Sequence, residues 1–381
     1  MYFGCVKIEI GMRDFIGSCA LLLASGIHAQ LPSEAIPSVE SLEVPYPVAF
    51  ALVHDIDDSK FSLVDTETRR LKGMLSAGQF ATVDISIKRQ KFYVGETVYS
   101  RGTRGTRLDF IAVYDFENMS LVGEIALLPK RSSAVVKAAS TAITSDDQYM
   151  LVTNMNPATS VSVVDLEDEV VVAEVQTPGC SLVYPQTHGG FFSLCGNGGL
   201  VSITLDDKGQ EQSRWASEPF NNIDDDPLSE AAELINDVWY FVSYQGVVQP
   251  IDVSGSKPNI LPSWSLTTEA EADQNWRPAG WHGKAGHEDG LLWVAMLPDG
   301  YNGSHKDPAT HIWLFSTKTA KRLETITLNV PAVSITATNG AQPQLLVVNI
   351  EGSLDVYDGR TGHFLRSISD LGNTPYMVYA L

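Results

Sequence analysis

Residues 61–70, FSLVDTETRR, set a pattern that the rest of the chain repeats. A short apolar run ends at Asp65, polar residues follow, and a new strand-like run begins at Leu71. Alternating side chains suit a half-buried strand, and an aspartate at the end of a strand can accept hydrogen bonds from the backbone of the turn that follows. The stretch therefore predicts an antiparallel hairpin.

The same unit recurs along the chain. Clear copies end at Asp115, Asp165 and Asp358, and weaker copies end at Asp206, Asp252 and Ser316. The seven turn positions lie 41 to 64 residues apart, and most of these spacings are near the length of a four-stranded propeller blade. We therefore predict an all-β fold, a seven-bladed β-propeller of four-stranded antiparallel blades over residues 48–381. The ring is expected to close by pairing of the first and last strands.

Composition and charge narrow the class of protein. The 381 residues are 44% hydrophobic and 19% charged, which is typical of a globular chain. The net charge of −20 argues against nucleic acid and against an anionic membrane surface as partners. It fits a solvated acidic surface, or one that attracts a basic protein or a cationic substrate.

The N-terminal part predicts export. Residues 1–29 have Lys7 and Arg13 ahead of an apolar run at 19–24, as in a signal peptide, and Met12 is an alternative start. Residues 30–47 are expected to form an extended arm, either loose or lying on a partner. No later run of apolar residues is long enough for a membrane span. The expected location is the periplasm.

Two cysteines remain after removal of the leader, Cys180 and Cys195, fifteen residues apart in one predicted blade. In an exported chain such a pair predicts a disulfide, which would stabilise the fold by roughly 3 kcal/mol. The alternative is two buried free thiols.

No self-contained active site is evident in the sequence. The acidic run at 224–226 lacks the spacing of a calcium loop and is expected to be a solvated loop. Glu96 and Asp109 have no second acid nearby that would suggest a glycosidase pair. Four histidines fall at 282, 287, 305 and 311 without metal-ligand spacing. We therefore predict no catalytic, cofactor-binding or metal-ligating residue in this chain.

A basic cluster on this acidic chain has two interpretations. Internal ion pairs are one, and a partner surface is the other. Its members are Arg101, Arg104, Arg107, Lys130 and Arg131.

Three stretches carry a resemblance to a known family. They are VYSRGTRGTRLD at 98–109, CSLVYP at 180–185 with FFSLC at 191–195, and WRPAGW at 276–281 with SHK at 304–306. Together they resemble the heavy subunit of the tryptophan tryptophylquinone amine dehydrogenases, methylamine dehydrogenase and aromatic amine dehydrogenase. The one departure in these blocks is Ala279, where the family has glycine.

The resemblance implies a propeller subunit that carries no cofactor itself. In that family two heavy and two light chains assemble, and the light chain holds the tryptophan tryptophylquinone. A primary amine is oxidised there to aldehyde and ammonia, and electrons pass to a blue copper protein of the amicyanin or azurin type.

The resemblance also suggests one site residue. An aromatic residue in an early blade of the family's heavy chain narrows the substrate channel. The matching stretch here is SAGQF at 76–80, where that position falls on Gln79 or Phe80, so Phe80 is the predicted channel residue.

Two other functions are compatible with a propeller, because the fold hosts many activities. One is an autonomous enzyme, lactonase-like or bearing its own cofactor, which would need a polar or metal constellation at the central channel. The other is a binding propeller without an enzyme partner, with the insertion at 254–290 as its contact face.

Overall fold

The computed structural model describes residues 41–78, 80–133 and 135–381, and these are almost entirely strands and turns. The predicted signal peptide lies outside the described residues. No helix in the described part of the chain is long and apolar enough to cross a bilayer. The one α-helix of the described residues, α1 (Glu269–Asp273), has an N-terminal capping box formed by Thr268 and Glu271.

The strands in chain order are β1 (Phe50–Asp55), β2 (Lys60–Asp65), β3 (Arg70–Ser76), β4 (Thr82–Ser86), β5 (Lys91–Arg101), β6 (Arg104–Asp115), β7 (Leu121–Leu127), β8 (Thr141–Ile143), β9 (Tyr149–Asn154), β10 (Ser160–Asp165), β11 (Val170–Gln176), β12 (Cys180–Pro185), β13 (Phe191–Cys195), β14 (Leu200–Leu205), β15 (Glu211–Ala216), β16 (Leu228–Ile235), β17 (Val238–Ser243), β18 (Val247–Asp252), β19 (Asn259–Ile260), β20 (Trp264–Ser265), β21 (Arg277–Pro278), β22 (Lys284–His287), β23 (Leu291–Leu297), β24 (Ala309–Ser316), β25 (Lys321–Ala337), β26 (Gln344–Asn349), β27 (Leu354–Asp358), β28 (Phe364–Ile368) and β29 (Pro375–Ala380). Two 3-10 turns complete the elements, Ala138–Ser140 and Ser304–Lys306.

These strands form six antiparallel sheets. Four are four-stranded: β29-β1-β2-β3, β4 to β7, β8 to β11, and β12 to β15. Strands β16 to β20 make a five-stranded sheet, in which β19 and β20 both pair with β18. Strands β21 to β28 make one eight-stranded sheet. The all-β, antiparallel prediction is confirmed.

The core lies between the faces of successive sheets. One cluster joins β1 and β2 to β5 through residues such as Phe61 and Phe92, and the next joins β5 to β9 through Tyr93 and Met150. The series continues around the molecule until Leu346 and Val356 of the last strands pack on Val53 of β1. The middle strands are therefore covered on both faces, which is why they are nearly continuous apolar runs.

The ring closes as the sequence predicts. Strand β29 pairs antiparallel with β1, with Leu52 opposite Tyr379 and Val53 opposite Val378. The last strand thereby completes the first sheet, and closure leaves β1 without a free edge.

The aspartate turns have the predicted hydrogen bonds. Oδ1 of Asp65 accepts from the N–H groups of Glu67 and Thr68, both at 3.0 Å. The same bond to a backbone N–H two or three residues on recurs at Asp115, Asp165, Asp206, Asp252 and Asp358.

The eight-stranded sheet departs from the prediction of uniform four-stranded blades. Strand β25 is 17 residues long and pairs with β24 along its first part and with β26 along its last part. Ala332 is paired with both Ala309 and Asn349. One uninterrupted strand thus serves two neighbours, so hydrogen bonding does not separate these strands into two sheets.

Two expectations for the loops are corrected. The insertion predicted at 254–290 is partly strand, because β19 to β22 lie within it. Residues 41–47, the described part of the predicted arm, are not loose: Leu42, Val44 and Tyr46 pack against the core of the first two sheets. The Tyr46 ring stacks on Phe116 with centroids 4.6 Å apart. Apolar side chains at alternate positions anchor this segment to its own chain.

Candidate functional site

A cavity of about 840 Å³ lies beside the hairpin of β5 and β6, and we call it the hairpin cavity. Its wall comes from the loop before β4, the far end of β5, the loop before β8 and the turn after β9. The lining residues are Gly78, Phe80, Ala81, Thr97, Val98, Tyr99, Gly102, Thr103, Arg107, Lys130, Arg131, Ser132, Ser133, Met155 and Asn156.

The hairpin itself makes this cavity possible. Strands β5 and β6 have 11 and 12 residues, about twice the length of β4 and β7, the other two strands of their sheet. The tip of the β5–β6 hairpin therefore projects beyond the sheet. Gly102 at the tip has a φ of 70°, a left-handed conformation that glycine adopts without a steric penalty. The projecting hairpin forms one side of the cavity.

Phe80 lines the same cavity from the loop between β3 and β4. Its side chain is 39% exposed, and its backbone oxygen accepts a hydrogen bond from Nη2 of Arg131 at 3.1 Å. The loop is therefore fixed at its backbone while the aromatic ring remains accessible.

Arg131 forms the floor of the cavity and is only 2% exposed. Its backbone N–H donates to Oδ2 of Asp109 at 2.8 Å, and its Nε donates to Oγ1 of Thr97 at 3.3 Å. Burial lowers the pKa of Arg131 to about 10, although nearby Asp109 opposes the shift. The guanidinium remains charged at neutral pH and holds two loops and a strand together.

Arg107 and Asp109 form the ion pair next to it. The guanidinium donates to both carboxylate oxygens, at 2.8 and 2.9 Å, and Asp109 has a fully buried side chain. Nη2 of Arg107 also donates to the backbone oxygen of Arg131 at 2.6 Å. This bidentate geometry is the strong form of an arginine–carboxylate contact and fixes the base of the hairpin.

Glu96 is a second acid behind the wall, 8% exposed. Burial raises its pKa to about 7, while a hydrogen bond from the Gly78 backbone and the charge of Arg131 oppose the shift. The residues around Glu96 in the sequence do not indicate this raised pKa, because only the tertiary fold buries this position.

The cavity is suited to binding rather than to acid–base chemistry. No acid of the described residues lines it, and the two acids behind the lining are engaged, Asp109 by Arg107 and Glu96 by Gly78. Its rim carries partly exposed apolar side chains: Phe80, Val98, Tyr99 and Met155. A concave surface with an apolar rim and a few fixed polar groups is typical of a ligand or partner site.

The structure places the predicted residues in three regions. Phe80 and the 98–109 motif meet at the hairpin cavity. Residues of the 276–281 and 304–306 motifs meet at a second cavity, described below. Cys180 and Cys195 are disulfide-bonded, at the start of β12 and the end of β13, where they are paired across the two strands.

The other singled-out residues have structural contacts. Of the basic cluster, Arg107 pairs with Asp109 and Lys130 with Glu174, whereas Arg101 and Arg104 lie exposed at the hairpin tip. In the acidic run, Asp226 accepts from Ser243 and from the Gln245 backbone.

Two of the four histidines make contacts within the fold. His287 bonds to the backbone oxygen of Gly340, and His305 stacks on Tyr244. Across residues 41–78, 80–133 and 135–381 no group of three or more histidine, cysteine, aspartate or glutamate side chains is arranged to hold a metal ion.

Antiparallel sheets that stack face to face and close through the first and last strands define a β-propeller. Solved propellers superpose on the chain accordingly. The periplasmic gluconolactonase of Pseudomonas aeruginosa is 14% identical, covers 87% of this chain and 98% of its own, and gives a TM-score of 0.61. The propeller domain of Cps50 from Myceliophteria thermophila is 8% identical. The match covers 84% of this chain and 96% of that domain, with a TM-score of 0.55. At these identities the likeness concerns the fold alone.

Sequence comparison gives the particular family. The family model described as methylamine dehydrogenase heavy chain matches residues 45–381, which include every described sheet. The chain belongs to the methylamine dehydrogenase heavy chain family, which confirms the resemblance found in its motifs.

Individual relatives agree with this assignment. The methylamine dehydrogenase heavy chain of Methylophilus methylotrophus is 26% identical over 95% of this chain and 92% of its own. The methylamine dehydrogenase heavy chain of Methylobacillus flagellatus is 27% identical, over 82% of this chain and 78% of its own length.

Proposed function

We propose that this chain is the heavy subunit of a periplasmic quinoprotein amine dehydrogenase. The observation that carries the proposal is the family match from residue 45 to the last residue, because it spans the complete ring of sheets. The reaction would convert a primary amine and water to aldehyde and ammonia. Electrons would pass to a blue copper protein.

The quinone would reside in a partner light subunit, in an assembly of two heavy and two light chains. The hairpin cavity is the place we propose for the light subunit to dock. Tyr99 and Met155 on its rim are 36% and 57% exposed, which leaves apolar area for a partner to cover. Phe80 would then narrow the path that the amine takes to the quinone.

We further propose that the ring has seven blades. The described residues form seven core clusters, one between each pair of neighbouring blades in such a ring. One of them joins Trp293 and Ile312 to Val347 within the eight-stranded sheet. Dividing that sheet within β25 gives one blade of four strands, the end of β25 with β26 to β28, and one in which β21 and β22 both pair with β23, followed by β24 and the start of β25. This division is in line with the seven aspartate or serine turns.

The test is purification of the protein from its host's periplasm under gentle conditions. A co-purifying small chain, with a visible quinone spectrum that bleaches when amine is added, would establish the function. Bleaching by methylamine or by an aromatic amine would identify the substrate class. A colourless single chain would contradict the proposal and favour a binding propeller.

A further inference from the structure

A second cavity, of about 370 Å³, lies among the inner strands near the centre of the ring, and we call it the lysine cavity. Three lysines line it, Lys137, Lys284 and Lys306, with one acid, Glu230. Its formal charge is therefore positive on a chain whose net charge is −20. A positive cavity on so acidic a chain is a local arrangement, not a consequence of overall composition.

Lys284 is the group that most needs a counter-ion. It is 4% exposed on β22, and its Nζ donates to Oγ of Ser229 at 2.8 Å. That is the hydrogen bond its ammonium makes within the described part of the chain. A buried ammonium has three donors, and leaving a buried charge without an opposite charge in contact is costly.

The nearby acids do not supply that counter-ion. Glu230 attracts Lys284 through space but is bonded to Lys137, and Glu233 forms no ion pair with Lys284 among the described residues. Burial raises the pKa of Glu233 and so disfavours its ionised form, although the charge of Lys284 opposes the shift. Burial also lowers the pKa of Lys284 to about 8, which still leaves the amine mostly charged at pH 7.

The remaining wall is aromatic. His305 stacks on Tyr244 with ring centroids 3.9 Å apart, and its Nδ1 is buried without a partner in the described residues. Trp281 lines the same cavity, and Nζ of Lys306 lies 6.0 Å from the centre of its ring. Flat apolar faces beside a buried cation are complementary to a ligand with an apolar body and an anionic end.

We propose that the lysine cavity binds a small organic carboxylate. The carboxylate contacts the ammonium of Lys284, and the apolar body of the ligand lies against Trp281 and Tyr244. Phosphate shares the charge but lacks the apolar body, so the aromatic wall favours a carboxylic acid. Within the part of the chain that the structure describes, this site shares no lining residue with the hairpin cavity, and it does not depend on the proposed amine dehydrogenase function.

The test measures binding of sodium benzoate to the full chain by titration calorimetry, with any companion subunit left in place. Benzyl alcohol has the same ring without the charge, and inorganic phosphate has the charge without the ring. We expect one benzoate per chain, and binding at least about tenfold weaker for both comparison compounds. No benzoate binding up to about 10 mM, or equal binding of benzyl alcohol or phosphate, would overturn the proposal.

Variants locate the ligand. Lys284→Met keeps the length of the side chain without its charge and should weaken benzoate binding at least about tenfold. Lys208→Met, on an exposed turn, is the matched control and should bind as the unaltered chain does. If Lys284→Met does not fold, two other variants replace it. Lys137→Met should bind benzoate more weakly. Benzoate should change the tryptophan fluorescence of the unaltered chain, and Trp281→Phe should lack that change. Unchanged binding in the folded variants would refute the assignment.

Discussion

At the scale of single residues, burial decides which side chains of the hairpin cavity can contact a ligand and which can only support the fold. Phe80 is accessible although its backbone is anchored by Arg131, whereas Glu96 and Asp109 are hidden behind the same wall. The aromatic ring can therefore contact what enters the cavity, and the acids can act only on the structure that holds it.

Phe80→Ala should widen the proposed channel. In the heavy–light complex, we expect the ratio of kcat/KM for benzylamine to that for methylamine to rise by about tenfold, because an aromatic side chain no longer excludes the bulky amine. Phe364→Ala, which removes a similarly exposed phenylalanine on β28, is the control. An unchanged ratio in Phe80→Ala would show that Phe80 does not line the path.

Glu96→Gln should change the pH dependence of stability. With its pKa raised from 4.5 to about 7, the native state keeps this proton over a range where the unfolded chain has released it. The original protein should therefore lose stability as the pH rises from 4.5 to 7, and the variant should lack this loss. The difference in unfolding free energy between the two should grow by about 3 kcal/mol over that range.

Denaturant unfolding at pH 4.5, 6 and 7.5 measures this difference. Glu218→Gln, at an exposed position, reports the effect of the altered net charge alone. A difference that stays constant with pH would mean that Glu96 ionises as readily in the native state as in the unfolded chain.

At the scale of elements, the repeated hairpin is stabilised by its turn. Asp358 accepts from the N–H groups of Arg360 and Thr361 at 3.1 and 2.8 Å and from the Thr361 hydroxyl at 2.7 Å. The corresponding position in the preceding repeat is Ser316, whose hydroxyl has no hydrogen bond to its turn among the described residues. In both turns the next N–H donates to a backbone oxygen, Thr317 to Gly290 and Gly359 to Pro343. The two turns thus offer a comparison within one chain.

Asp358→Ala should lower the unfolding free energy by about 2 kcal/mol, because it removes a charged acceptor from backbone donors. Ser316→Ala should change it by less than about 0.5 kcal/mol. Chemical denaturation of both variants measures the two values. Equal losses would mean that the aspartate bonds add nothing beyond the turn conformation.

The disulfide belongs to the same scale, since it joins the ends of the β12–β13 hairpin. Replacing both Cys180 and Cys195 by alanine should lower the unfolding free energy by roughly 3 kcal/mol, because a 15-residue loop in the unfolded chain is freed. Melting is compared with and without reductant: the original chain should become less stable on reduction, and the double variant should not respond. Equal melting of both proteins would refute a stabilising disulfide.

At the scale of the whole molecule, stability depends on closing the ring. Strand β29 covers the edge of β1, and its Met377 and Val378 are buried. Every sheet has a neighbour on each face only when this pair is made. Closure therefore affects sheets far from the termini.

A chain that ends at Thr374 lacks β29 and leaves β1 as an open edge, which can pair with other molecules. We expect it to form aggregates in size-exclusion chromatography and to lose its cooperative thermal transition. A chain that lacks only Leu381 keeps all of the β29 backbone pairs and serves as the control. A monomeric truncated chain with an unaltered melting temperature would argue against closure as a source of stability.

Much of the fold follows from local patterns. Strand, turn and aspartate recur with a regular spacing, and each hairpin is stabilised by contacts between residues close in sequence. The antiparallel sheets and the ring closure were therefore predictable. The continuous β25 was not, because its two halves have different partners and the strand continues through Pro331, a residue that ordinarily interrupts a strand.

The sequence by itself determined the repeat, the all-β class and the family, since these are carried by residue order and by motifs such as 98–109 and 276–281. The tertiary structure alone decided which charges are buried. Glu96 and Lys284 lie in ordinary strand sequence, and their altered pKa values come from strands and loops that are distant along the chain. Desolvation depends on all the atoms around a group, so the positive lysine cavity at the centre of an acidic chain becomes visible only after the sheets have closed into a ring.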